Sequence, residues 1–375
     1  MRAGRVLLLV RNDADFFLLH NLPLARAAQA AGYRVHVTSP PAKSVSRIVD
    51  EGFTHHATPL RRCATSPLEE LRYFGTLLRL YRKLRPDVVH HVTVKPVIYG
   101  GLAARLTGIP AVVHAITGLG YVFIASSLKS KTLRMPVNVL YRLALGHPHA
   151  RTIFQNPDDL ESFVKFGLVK RGAAVLIRSS GVDMTRYVPI PEPAATPVVL
   201  FPGRMLWDKG LLEFVASAKM LRSRGVVARF VLVGDVDPNP TSASVAQIKE
   251  WEANGLVEWW GPSDDMPAVY KQASIVCLPS YREGLPKVLV EAAACGRALV
   301  STDVPGCREV VRNGENGWLV PPRDAEALAE HIGMLLANPG LRARMGRRGR
   351  ELVAEDFAVE KVVKEILAIY EELLS

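Results

Sequence analysis

Paired cysteines and long apolar runs are scarce in this 375-residue chain, and one long stretch lacks acidic residues. The four cysteines, Cys63, Cys277, Cys295 and Cys307, show no Cys-x2-Cys spacing. That pattern argues against a zinc site or a disulfide framework and for a reduced, cytoplasmic compartment. Arg2 and Arg5 precede only five strongly apolar residues, Val6–Val10, too few for the core of an export signal. Between Leu106 and Leu128, 23 residues pass without Lys, Arg, Asp or Glu. Gly108, Pro110, His114, Gly118 and Gly120 interrupt that run, so no membrane-spanning helix is expected there. After the first strand-like run comes Arg11-Asn12-Asp13-Ala14-Asp15, with no Gly-x-Gly-x-x-Gly, which disfavours a nicotinamide or flavin dehydrogenase.

The missing acids leave one region strongly basic. From Asp87 to Asp158 no carboxylate intervenes, while Lys95, Arg105, Lys129, Lys131, Arg134, Arg142 and Arg151 do. Just upstream, Arg72, Arg79, Arg82, Lys83 and Arg85 share a helical segment with Leu71, Phe74, Leu78 and Tyr81. The formal net charge is +11. No nucleic-acid module is present and aromatic interleaving is sparse, so nucleic acid is not the expected partner. A basic, partly amphipathic surface suits an anionic membrane and a diphosphate-bearing lipid better.

Strand-like runs alternate with helical patterns. Val6–Val10, Val35–Ser39, Val88–Val94 and Ala111–Ile116 alternate with helices near Leu22–Ala31, Leu68–Leu84 and Ile98–Leu106. A Pro-rich passage, residues 188–197, then separates two halves. The alternation restarts with Val198–Phe201, Phe230–Gly234, Ile275–Leu278 and Ala298–Ser301, interleaved with helices such as Leu211–Ser223 and Leu285–Ala294. Such alternation predicts an α/β fold of two doubly wound, Rossmann-like domains facing a cleft, with ligands beyond the strand C-termini. The domains are expected at 1–180 and 181–356.

Within the second half, Glu283 and Glu291 stand eight positions apart after a strand-like run, residues 273–280. Gly284 permits close backbone approach, and Pro286 suits the first turn of a helix. A helix start attracts phosphate through its free N–H groups and dipole. A carboxylate beside it suggests one pocket for a diphosphate and a polyol, that is, a nucleotide-sugar. Arg204 and Lys209 bracket a loop running from Gly203 to Gly210, directly after Val198–Phe201, where cations would grip that diphosphate. Two Asp-x-Asp matches, Asp13 with Asp15 and Asp235 with Asp237, are not needed as metal sites. Arg204, Lys209 and the helix start already supply positive charge.

In order, the chain carries Ser180-Gly181-Val182-Asp183, the Gly203–Gly210 loop, Glu283-x7-Glu291, Val304-Pro305-Gly306-Cys307-Arg308-Glu309 and Asn313-Gly314-Glu315-Asn316-Gly317. These resemble the C-terminal half of a retaining glycosyltransferase of family 4, with the GT-B fold. His20-Asn21-Leu22-Pro23, His90-His91-Val92-Thr93-Val94-Lys95-Pro96, Gly118-Leu119-Gly120-Tyr121-Val122-Phe123 and Phe154-Gln155-Asn156 are similar to one branch of that family. That branch builds capsule, O-antigen and protein-glycan precursors on undecaprenyl diphosphate. Arg178-Ser179, Ala293 and Ala298 depart from the pattern, without removing a charged group from the proposed site.

The resemblance implies a C-terminal helix, about 357–375, packing back on the N-terminal domain, which binds the acceptor. It implies a UDP-sugar donor, such as a UDP-N-acetylhexosamine, and a polyprenyl-diphosphate-linked saccharide acceptor, with no metal or other cofactor. Glu283 would lie by the donor sugar and Glu291 by the ribose. Arg204 and Lys209 would hold the diphosphate, His114 would meet the donor sugar, and Gly203, Gly284, Leu285 and Gly181 would complete the donor side. Asn12, His20, Lys95, Gly118, Lys129 and Lys131 would serve the acceptor. The protein would sit peripherally at the inner face of the cytoplasmic membrane. A non-hydrolysing UDP-sugar 2-epimerase, a catalytically idle sugar-nucleotide sensor, and a family 4 transferase with a soluble acceptor are the alternatives.

Overall fold

The computed structural model describes residues 4–60, 66–118, 128–239 and 241–375, with side chains left out over 128–134. It divides into a unit of Met1–Gly181 with Glu360–Ser375 and a unit of Val182–Val359.

The first unit is built on a seven-stranded sheet ordered β3-β2-β1-β4-β5-β6-β7. Its strands are β1 Val6–Val10, β2 Arg34–Ser39, β3 Thr54–Ala57, β4 Val88–Val92, β5 Ala111–Ile116, β6 Ala150–Phe154 and β7 Ala174–Leu176. Every pairing in it is parallel. Parallel sheets are covered on both faces, which is why β1 and β4 are buried along their whole length. The Val88–Val94 strand read from sequence stops at Val92. Thr93 turns into the left-handed region, φ 76°, and a single π-helical turn, Pro96–Gly100, precedes the helix Gly101–Thr107. The expected helix near Ile98–Leu106 is therefore two conformations, divided at Gly101. The last helix, Val359–Leu374, buries Val362, Ile366, Ile369 and Tyr370, a stripe at helical spacing. Tyr370 Oη lies 2.6 Å from His90 Nδ1, so this helix covers one face of the first sheet.

The second unit carries a six-stranded sheet ordered β10-β9-β8-β11-β12-β13. These are β8 Val198–Pro202, β9 Arg229–Val233, β10 Glu258–Gly261, β11 Ile275–Leu278, β12 Ala298–Thr302 and β13 Gly317–Val320, again all parallel. Phe201, Phe214 and Phe230 pack in its core at centroid distances of 5.4 and 5.6 Å. The Pro-rich passage is pinned to this unit: Arg342 grips Glu192 with two hydrogen bonds of 2.6 and 2.9 Å. Cys277, Cys295 and Cys307 are buried free thiols, and Cys63 lies outside the described residues. Among the described residues no helix is long and apolar enough to cross a membrane.

Candidate functional site

Strand order in the second sheet reverses direction between β8 and β11, and the crevice beyond such a switch point is where doubly wound folds bind ligands. Arg204 and Lys209 leave β8; Glu283 leaves β11. Two glycines let these loops meet. Gly210 takes φ 76°, and a Cβ there would lie 2.0 Å from the Pro279 carbonyl oxygen. Gly306 takes φ 81°, and a Cβ there would meet the carbonyl oxygens of Gly284 and Glu283 at 2.5 and 2.8 Å. A side chain at Gly210 would push the Lys209 loop away from the chain leading to Glu283, and one at Gly306 would displace the backbone of Glu283 and Gly284.

The result is two ion pairs, each on a loop beyond the switch point. Lys209 Nζ reaches Glu283 Oε1 at 2.5 Å, and Ser280 Oγ donates to the same oxygen at 2.6 Å. Arg204 Nη1 reaches Asp237 Oδ2 at 2.5 Å. Asp237 is fixed in turn: its Oδ1 accepts from Asn239 N at 2.9 Å, and its own N–H donates to Ser242 Oγ at 3.0 Å. Each cation thus sits against one carboxylate, and Arg204 keeps 37% of its side chain exposed. A guanidinium has five N–H donors in a fork, so Arg204 can hold Asp237 with one edge and offer another to a diphosphate.

Pro286 is the cap before the helix Lys287–Ala294, rather than its first residue. Gly203 donates its N–H to Val233 at 2.8 Å, Leu285 packs on the hydrophobic core, and Gly181 takes φ 81°. Glu291 lies on the buried side of that helix, 2% exposed, with Tyr187 Oη donating to one oxygen at 2.9 Å and Tyr270 Oη to the other at 3.1 Å. Lys287, one turn earlier, stands 3.8 Å away. Burial raises the Glu291 carboxyl above its ordinary range; Lys287 and the two phenols pull the other way. Burial likewise lowers Lys287, and Glu291 opposes it. The carboxylate expected at the ribose therefore has both oxygens engaged by phenols.

His114 departs from its expected place. It is 0% exposed inside the first sheet, its Nδ1 3.3 Å from His91 Nδ1, and burial pushes its pKa down to about 3. His91 is bonded to Tyr81 Oη at 2.7 Å. This is a stacked core pair under the Pro67–Leu84 helix, and it presents no surface to a sugar.

The residues assigned to the acceptor are placed as follows. Asn12 follows β1, and its Oδ1 is buried. His20 Nδ1 lies 3.1 Å from Ser180 Oγ, while Lys95 Nζ is bound to Glu70 Oε1 at 2.5 Å. Gly118 follows β5 with φ 154°. The side chains of Lys129 and Lys131 lie outside the described residues, as do Gly120, Tyr121, Val122 and Phe123. The other Asp-x-Asp match is a helix cap: Asp13 Oδ1 accepts from the N–H groups of Asp15 and Phe16 at 2.9 and 3.1 Å. Among the described residues no group of three His, Cys, Asp or Glu could hold a metal ion.

Sequence reasoning weighed Asp237 only as a metal ligand and missed its pairing with Arg204, and it missed Ser280, Tyr187 and Tyr270. Lys287 was open to discovery, since a Lys four residues before a Glu on a helix faces it. Nothing in the sequence pairs Tyr187 with Glu291, because 104 positions separate them.

Known proteins resemble this chain along its length. Residues 188–352 match the family described as glycosyl transferases group 1, and residues 5–156 match the glycosyl transferase 4-like family. One relative is the N,N'-diacetylbacillosaminyl-diphospho-undecaprenol alpha-1,3-N-acetylgalactosaminyltransferase of Campylobacter jejuni, 29% identical, covering 94% of this chain and 95% of the relative. Another is an Escherichia coli UDP-Gal:alpha-D-GlcNAc-diphosphoundecaprenol alpha-1,3-galactosyltransferase, 24% identical, over 82% of this chain and 81% of that one. Among solved structures, Anabaena HepE in complex with UDP-glucose superposes with a TM-score of 0.79 at 18% identity, over 98% of this chain and 99% of that one.

Proposed function

The chain belongs to the glycosyl transferases, with a group 1 C-terminal half, a 4-like N-terminal half and the GT-B fold, and from that premise we propose that it moves a sugar from a UDP-linked donor to a polyprenyl-diphosphate-linked saccharide. Transfer retains the anomeric configuration and uses no metal. One observation carries the reading: Arg204, Lys209 and Glu283 converge at the switch point of the second sheet, two cations for a diphosphate beside a carboxylate for a sugar. Glu283 hydrogen-bonds the donor sugar. Arg204 and Lys209 stabilise charge as UDP departs. Glu291 holds the ribose by sharing its carboxylate between nucleotide and phenols, since an ionised carboxylate can accept about four hydrogen bonds. Glu291 is 2% exposed, which suits it poorly to attack an anomeric carbon. The acceptor attacks on the face UDP leaves, and the leaving phosphate takes its proton.

Two relatives named for diphospho-undecaprenol substrates support the acceptor class. Peripheral attachment to an anionic membrane accompanies that acceptor. In its support, the helix Leu128–Leu145 exposes Met135, Val139 and Leu143 at 76, 47 and 46%, every fourth residue and so one face. Arg142, between them, is bonded to the carbonyl oxygens of Gly167 and Phe166.

The test is a panel of UDP-sugars with a synthetic polyprenyl-diphosphate N-acetylhexosamine, the product's anomeric configuration being read by NMR. An α-linked product from an α-linked donor, formed in EDTA, is expected. Turnover of UDP-sugar without acceptor would point to an epimerase instead, and transfer to a soluble sugar with none to the lipid would remove the carrier from the reading.

A further inference from the structure

Tyr281 stands one residue after Ser280 and two before Glu283, and both its backbone and its side chain reach across to the segment bearing Lys209. Its N–H donates to the Asp208 carbonyl oxygen at 2.8 Å. Its Oη reaches Glu213 Oε1 at 2.8 Å and Oε2 at 3.0 Å. Asp208 precedes Lys209, and Glu213 lies in the first turn of the helix Leu211–Ser223 that follows it. The segment bearing Glu283 is thus tied to the other on both sides of the lysine. Gly210 closes the same junction, where a Cβ would strike the Pro279 carbonyl.

Glu213 is buried, and its place at a helix start favours a negative charge there. Burial, and Glu213 after it, raise the Tyr281 phenol to about 12, so it remains a donor throughout the neutral range. A third segment secures the ring. Arg323, just beyond β13, places its guanidinium 4.7 Å from the ring centroid, close enough for a cation to be drawn to the aromatic face. It does so from φ 64°, a left-handed conformation uncommon outside glycine and one that gathers at functional sites. Segments that follow β8, β11 and β13 therefore meet at one tyrosine.

We propose that Tyr281 is a positioning residue that sets the spacing between Lys209 and Glu283, and hence between the diphosphate and the sugar of the donor. This rests on the glycosyltransferase reading above and adds what keeps its two donor contacts in register. The Tyr281 hydroxyl is spent on Glu213, so it acts through those two residues rather than on the substrate. UDP engages Lys209 without Glu283, whereas transfer needs both at once. Loosening the latch therefore slows transfer and spares UDP binding.

Tyr281→Phe removes the hydroxyl and keeps the ring under Arg323. With UDP-sugar and the polyprenyl-diphosphate N-acetylhexosamine, its kcat should fall roughly 10–10²-fold, the penalty for a reacting group displaced by about one ångström. UDP affinity, measured by calorimetry, should stay within about twofold of wild type. Glu213→Ala should match that loss, and Glu213→Gln, whose amide oxygen still accepts, should recover most of it. In a Glu283→Gln background, Tyr281→Phe should cost less than about twofold more, because residues acting through one group are not additive. A general loosening of the fold would instead lower the rate by the same factor in both backgrounds. Should Tyr281→Phe alone fail to fold, pairing it with Glu213→Gln removes the unpaired carboxylate, and the same loss of kcat is expected. Hydrogen exchange reads the latch without any transfer: Glu213→Ala should speed exchange of the Tyr281 amide about tenfold, and Glu213→Gln should leave it slow. If the wild type binds UDP but transfers nothing, the broader reading fails, and exchange alone decides the latch. Wild-type kcat in Tyr281→Phe, an equal loss in the Glu283→Gln background, UDP affinity falling in step with kcat, or unchanged amide exchange in Glu213→Ala would each overturn the proposal.

Discussion

Replacing Glu283 by Gln separates two effects that the ion pair with Lys209 couples. The pair is mostly enclosed: Glu283 has 10% and Lys209 22% of its side chain exposed, at 2.5 Å. At that separation Coulomb's law gives a gross attraction of roughly 2–7 kcal/mol for effective dielectrics of 80 to 20. Desolvation of both groups offsets most of it, leaving about 1 kcal/mol of net preference. An arriving diphosphate competes with Glu283 for Lys209, so removing the carboxylate charge should tighten UDP binding about fivefold, the equivalent of that 1 kcal/mol. Turnover should fall in the same variant by roughly 10²–10³, the loss usual for one group acting on a developing charge. Isothermal titration with UDP and steady-state transfer rates measure the two quantities independently. Weaker UDP binding together with slower turnover would refute the reasoning, because Glu283 would then be part of the phosphate seat rather than a sugar contact.

Other variants address the remaining groups. Arg204→Ala and Lys209→Ala should each lower turnover by roughly 10²–10³, and wild-type transfer should survive EDTA; magnesium-dependent recovery would reopen Asp235 and Asp237 as ligands. Glu291→Ala leaves the buried Tyr187 hydroxyl without its acceptor, while Tyr270 Oη keeps the Val288 carbonyl oxygen at 3.1 Å, a loss of about 1–3 kcal/mol in urea denaturation. Glu291→Gln should keep most of that stability yet weaken UDP binding, and unchanged UDP affinity would leave Glu291 a structural role only. His90 and His114 are held near 3 by burial, against an ordinary value of 6.5. The unfolded chain therefore takes up protons below pH 6.5 that the folded chain refuses, and stability should fall from pH 6.5 towards 3 by about 1.4 kcal/mol per unit for each histidine. A urea midpoint that stays flat between pH 7 and 5 would contradict their burial.

The architecture was largely legible because parallel strands buried on both faces announce themselves as apolar runs. Val6–Val10 and Ala111–Ile116 have the same bounds in sequence and structure. The weakly apolar strands were not legible. Thr54–Ala57 reads Thr-His-His-Ala and lies at the sheet edge, where only one neighbour constrains it. Arg34–Ser39 and Thr54–Ala57 are held together by backbone pairing, and His36 Nδ1 lies 2.9 Å from His56 Nε2 across them. Neither feature leaves a periodic trace. The π-helical turn after Thr93 was equally hidden, since a change of hydrogen-bond register does not alter the apolar pattern that suggested a helix near Ile98–Leu106.

For the site, sequence identified the charges but not their partners. Arg204, Lys209 and Glu283 could be read because each follows a strand at a glycine-rich turn. Their pairing depends on sequence separations of 33 and 74 residues, which no local pattern encodes. The pairing also changes the electrostatic argument. Arg204 and Lys209, read alone, are two open cations waiting for phosphate. In the fold each meets a carboxylate, so under the proposed function donor binding would be an exchange of anions at fixed cations rather than a simple neutralisation. Asp237 is locked by its own turn and keeps its oxygens in place, whereas Glu283 is held by one hydroxyl, from Ser280, besides Lys209. The exchange should therefore be unequal: Arg204 keeps Asp237 and adds the diphosphate, while Lys209 turns to the diphosphate and leaves Glu283 to accept hydrogen bonds from the sugar.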